Sequence, residues 1–128
     1  MDKPEKVIYG KNTAFVISTN GSKSTYAIIP KVHDNWKIGL GWKTKMVVTK
    51  YVDNILISVY QYHGTEEYYV VVGSENEIVK IGDSQNSEFH SHPVYEESRG
   101  QNIFIAFLNG YDDNNYTLRI NDKLYILQ

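Results

Sequence analysis

The stretch Asn102-Ile103-Phe104-Ile105-Ala106-Phe107-Leu108 carries apolar side chains at six successive positions, five of them bulky. In an extended chain neighbouring side chains point to opposite faces, so Ile103, Ile105 and Phe107 share one side and Phe104, Ala106 and Leu108 the other. A strand that is apolar on both sides has to be covered on both sides, which makes it central to its sheet or places it under an interface. Downstream, Tyr116 to Ile120 alternates, with Tyr116, Leu118 and Ile120 inward and Thr117 and Arg119 outward. It is read as the partner of the 102–108 strand. Asn121-Asp122 then turns into Lys123 to Leu127, so the last three strands are expected to form a meander.

Working upstream, three hairpins are expected. Thr13 to Ser18 and residues 24–29 flank Asn20-Gly21, a pair that readily takes positive φ angles, and Pro30 is expected to end the second of these strands. Lys43 to Val52 and Asn54 to Tyr62 are joined at Asp53-Asn54, with Ile55, Ile57 and Val59 as a core row. Glu67 to Val72 and Glu77 to Ile81 form the third around Gly73-Ser74-Glu75-Asn76, with Glu66 and Glu67 read as solvated carboxylates. No segment shows apolar residues at helical spacing over three turns. Together these segments predict one all-β domain over residues 1–128. It is an antiparallel β-sandwich or partly closed β-barrel of about nine strands built from hairpins, with no substantial helix.

Composition narrows the function classes. The chain has no cysteine, which removes disulfides, thiolate nucleophiles and zinc–thiolate sites together. Net charge is −2, which predicts no nucleic-acid partner, and no run of roughly eighteen apolar residues predicts a membrane span. Charges and a proline in Met1-Asp2-Lys3-Pro4-Glu5-Lys6 stand where a signal peptide needs an apolar run, so a cytoplasmic location is expected. The charge is unevenly distributed: residues 1–64 hold nine lysines against four carboxylates, and residues 65–128 four basic residues against eleven carboxylates. Strands from the two halves are expected to interleave and pair these charges across the sheet.

Side chains able to do chemistry concentrate in Glu88-Phe89-His90-Ser91-His92-Pro93-Val94-Tyr95-Glu96-Glu97. His90 and His92, two apart on an extended segment, face the same way, and with Glu88, Glu96 or Glu97 they are candidate ligands for a divalent metal. His90-Ser91-His92-Pro93 resembles the core of JAMM-type metalloproteases, which implies a metal-dependent hydrolase, although Gln101 stands where the family's aspartate is expected. His90-Ser91-His92 followed by Glu96 or Glu97 also resembles the first metal-binding motif of cupins, which implies a β-barrel metal site. The second cupin motif is absent, leaving His63 or His33 to complete such a site.

Three functions follow as expectations. The leading one is a non-enzymatic module of inhibitor or immunity type. It would dock on a basic site of another protein through an acidic surface built from Asp83, Glu88, Tyr95, Glu96 and Glu97. The second is a lectin-like module stacking carbohydrate on Trp36, Trp42 and tyrosines, where the tryptophans are otherwise read as core plugs beside Gly39 and Gly41. The third is a metal enzyme at His90 and His92.

Overall fold

The computed structural model describes residues 4–20, 23–93 and 102–127. Their strands are β1 (Pro4–Tyr9), β2 (Thr13–Asn20), β3 (Lys23–Val32), β4 (Asn35–Trp36), β5 (Thr44–Val52), β6 (Ile55–Tyr62), β7 (Glu67–Ser74), β8 (Ile81–Asp83), β9 (His90–Pro93), β10 (Asn102–Asn109), β11 (Thr117–Ile120) and β12 (Lys123–Ile126). The one helical element among the described residues is a 3-10 segment, Ile38–Lys43. The strands form three antiparallel sheets, ordered β1-β2-β3-β4, β5-β6-β7-β10-β9 and β12-β11-β8. The all-β expectation holds, with twelve strands among the described residues in place of about nine.

The five-stranded sheet is the middle layer, because the strand alternation sorts its side chains into two separate cores. Ile55, Ile57, Val59, Tyr68, Val70, Val72, Ala106 and Leu108 pack on one face against Leu118, Ile120, Tyr125 and Leu127 of the β8–β11–β12 side. Tyr62, Tyr69, Val71, Ile103 and Ile105 pack on the other against Ile8, Phe15, Ile17 and Ile28 of the first sheet. The two-sided apolar reading of residues 103–108 is therefore borne out, and β10 is hydrogen-bonded on both edges, to β7 and to β9. The β5–β6 hairpin also forms as read, its Asp53-Asn54 turn taking φ of 53° and 63°, the positive values that a two-residue hairpin loop with the strands' own twist requires.

Several pairings differ from the sequence reading. β7 does not close a hairpin with residues 77–81; it pairs with β6 and β10, while Ile81–Asp83 crosses to join β11. Nor is β11 the partner of β10, since it lies one layer away between β12 and β8, and the final meander is replaced by a change of sheet. The β2–β3 hairpin is present, but β3 runs on to Val32. Pro30 sits where β3 passes from β2 to β4, and its carbonyl accepts from Lys37 N at 2.9 Å. The charge halves do not interleave as expected. The first sheet is built entirely from the lysine-rich half and the third entirely from the acidic half, and only the middle sheet mixes them.

Glu67 corrects another expectation. It is 8% exposed rather than solvated, because it belongs to the inward row of β7 with Tyr69 and Val71. Its carboxylate accepts from the backbone N–H of Lys11 (3.2 Å) and Asn12 (3.0 Å) and from Thr13 Oγ1 (2.8 Å). The β1–β2 turn is thereby tied to the middle sheet by charge-assisted hydrogen bonds, each stronger than a neutral one. The approach is close: a Cβ on Gly10 would lie 2.5 Å from the Tyr69 hydroxyl and 2.7 Å from the Phe107 ring, so glycine is required there. In equilibrium denaturation, Glu67→Ala is expected to lose about 2–3 kcal/mol by stranding those donors. The exposed neighbour variant Glu66→Ala is expected to stay within about 0.5 kcal/mol of wild type. Equal effects would contradict the tether.

Candidate docking surface

The outer face of the first sheet, turned away from the middle layer, is apolar. Ala14, Val16 and Ile29 are buried there, with Val7 and Trp36 packed on them. Between Val7, Val16, Ile29, Tyr9, Trp36 and Ile38 lies a groove of about 130 Å³. That is close to the roughly 150 Å³ cavity that holds a benzene ring, so it has room for one bulky side chain. The Tyr9 and Trp36 rings meet at 5.5 Å and 50°, and Lys31 Nζ stands 5.7 Å over the Trp36 ring. On one flank the 3-10 segment lies across the sheet, with the Gly41 Cβ position 3.3 Å from Ala27 Cβ. It is locked by Thr44, whose hydroxyl bonds the Gly41 carbonyl at 2.6 Å and accepts from Ile28 N at 2.7 Å. This leaves Tyr9 64% and Ile38 50% exposed around one apolar depression.

The tryptophans are therefore not core plugs. Trp36 is half-buried on an outer face, and Trp42 projects into solvent with Lys43 Nζ 5.6 Å over its ring. A second, more open cleft of about 480 Å³ lies at the seam between the first and middle sheets, bordered by Lys11, Asn12, Lys31, Glu66 and Asn109.

No protein-family model, curated protein or solved structure matches this chain.

Of the acidic set read from the sequence, Tyr95, Glu96 and Glu97 lie outside the described residues. Asp83 is placed, but its carboxylate is engaged: Oδ1 accepts from Gln85 N (3.1 Å) and Ser87 N (2.8 Å), and Oδ2 from the Tyr116 hydroxyl (2.8 Å). It shapes the 83–87 loop. Glu88 is exposed, with Oε2 4.0 Å from His90 Nε2.

His90 and His92 lie on β9 opposite Ile105 and Ile103 and so point the same way, as expected. His92 is 7% exposed, with Nε2 3.6 Å from Glu5 Oε1 and, among the described residues, without a hydrogen-bond partner. Among the described residues no group of three His, Asp or Glu side chains is placed to hold a metal ion. His33 lies in the β3–β4 turn and His63 in the β6–β7 turn, and both are exposed.

At another end of the molecule Tyr111, Asp112 and Asp113, which the sequence reading passed over, cap a row of buried tyrosines. Tyr111 bridges Tyr68 (5.8 Å) and Tyr116 (5.6 Å) ring to ring, with Asp112, Asp113 and Asp83 around them. Asp113 accepts a short hydrogen bond from the Tyr111 hydroxyl. Burial first, then the charge of Asp83, pushes the Tyr116 phenol far above the ordinary tyrosine value. Burial, with Asp113, does the same for Tyr111. A phenol whose folded pKa is raised stabilises the fold fully below its unfolded pKa of about 10, and that stability is lost as pH climbs beyond it. Thermal melts are therefore expected to show the wild-type midpoint falling above about pH 10, with a smaller fall for Tyr116→Phe. Identical falls would remove Tyr116 from the account.

Proposed function

We propose that this chain is a small non-enzymatic protein-binding module whose docking face is the outer surface of the first sheet. The observation that carries the reading is the groove bounded by Tyr9, Trp36 and Ile38. Tyrosine and tryptophan are the residue types that dominate binding energy at protein interfaces, and a single-side-chain pocket ringed by them has the form of a hot-spot receptor. Leaving such groups in water forgoes roughly 25 cal/mol per Å² of apolar area, a cost that a covered face recovers.

The carbohydrate reading has less support. A sugar stacks on an open aromatic face, whereas Trp36 lies against Tyr9 and beneath the Lys31 ammonium, and Trp42 has Lys43 over its ring. With a partner isolated from the source cell, Trp36→Ala and Ile38→Asp are each expected to weaken binding by about 2 kcal/mol or more. Val79→Asp, on a more exposed apolar residue outside the groove, is expected to leave affinity unchanged. If all three variants bind like wild type, the groove is not the docking face.

The exposed Asp112 and Asp113 beside Tyr111 support a second docking reading, in which this acidic end meets a basic site and the module acts as an inhibitor. Charges at an interface rim chiefly change encounter rate. Asp113→Lys is then expected to slow association with a cationic partner and flatten its salt dependence. An unchanged rate constant at low salt would exclude this end.

A further inference from the structure

We infer that the groove takes an acidic segment of a partner protein, seating one bulky apolar side chain against Tyr9, Trp36 and Ile38 while the segment's carboxylates meet Lys31, Lys37 and Lys43. The inference rests on the docking reading and adds the chemistry of the occupant.

The charge around the groove is one-sided. Residues 4–43, which build the first sheet and its 3-10 segment, contain six lysines and two carboxylates, Glu5 and Asp34. Glu5 is withdrawn from the outer face, since its carboxylate points toward His92 on β9, at 3.6 Å. Asp34 lies in the β3–β4 turn and does not line the groove. One lysine ammonium stands at a groove residue, and two more lysines belong to the same stretch of chain. Lys31 stands over Trp36, Lys37 separates Trp36 from Ile38 in the chain and is anchored by its N–H to the Pro30 carbonyl, and Lys43 closes the segment that Ile38 opens. An apolar centre with an ammonium group over its tryptophan, on a lysine-rich sheet, is complementary to an apolar anchor flanked by Asp or Glu, and it disfavours a basic segment by like-charge contact.

A single-stranded nucleic acid would also carry negative charge, but it binds by stacking bases on open aromatic faces. This groove is walled by Val7, Val16, Ile29 and Ile38, and its tryptophan face is already occupied, so aliphatic or ring-edge insertion fits it better than base stacking.

The test is selection of a random-sequence phage-displayed peptide library on the intact protein, followed by fluorescence anisotropy of the resynthesised peptides. Expected is enrichment of sequences in which Asp or Glu flank an aromatic or branched aliphatic residue. Their binding should be lost in Ile38→Asp and Trp36→Ala, and weakened at least roughly tenfold in Lys31→Glu combined with Lys37→Glu, a size that reversal of two rim charges can produce. Thermal melts check that each variant is folded, and Ile38→Asp, an exposed site, serves if Trp36→Ala is not. Neutral or basic peptides that still require Trp36 or Ile38 would overturn the acidic occupant and leave the docking reading standing. Acidic peptides indifferent to both groove variants, or an absence of enrichment, would overturn both. Tighter binding of a mixed-sequence DNA oligonucleotide than of any selected peptide, lost in Ile38→Asp, would replace the acidic segment by nucleic acid.

Discussion

Two-sided burial of the middle sheet is the constraint on which the rest of the structure depends. β6, β7 and β10 alternate in register, so Val59, Val70 and Ala106 stand on one face while Tyr69, Val71 and Ile105 stand on the other. Neither face can be left in water, because each exposes several large side chains whose burial is worth roughly 1.5–3 kcal/mol apiece. One further sheet on each side is the all-β solution, and the chain supplies the first from its N-terminal third and the second from its C-terminal strands with β8. Aromatic contacts fill the interlayer space on the first side, with Phe15 touching Tyr69 at 5.4 Å and Tyr60 at 6.0 Å.

How much of this was legible from the residues varied with the range of the interaction. Face assignments depend only on a period of two, so the rows Ile55-Ile57-Val59 and Ile103-Ile105 were readable, as was the local Asp53-Asn54 turn. Strand partners across long separations were not. Tyr69 and Phe107 are brought opposite each other by topology, and nothing in alternation states which apolar strand will lie beside which. Glu67 was misread although a signal existed, since it is in phase with Tyr69 and Val71; parity, followed strictly, points it inward. The docking groove joins β1, β2, β3, β4 and the 3-10 segment, so Tyr9 could not be associated with Trp36 before the sheet was known. The row of Tyr68, Tyr111 and Tyr116 likewise joins two layers.

Layering also turns a one-dimensional charge imbalance into a spatial one. Because the outer sheets come from different halves of the chain, lysines gather on the first and carboxylates on the loops serving the third. Separated patches of opposite sign steer encounters more effectively than interleaved charges, which cancel within a Debye length of about 8–10 Å. The apolar groove then lies on the sheet where the positive charge gathers, so encounter and residence favour the same partner chemistry.

The most direct test of the three-layer account is native-state hydrogen exchange followed residue by residue by NMR. Amides buried in both cores open only with global unfolding, whereas those in short edge strands open locally. The account predicts the slowest exchange in β6, β7 and β10, at the free energy of global unfolding, with β4 and β12 exchanging faster. Exchange from β10 as fast as from β12 would contradict the central placement of the middle sheet.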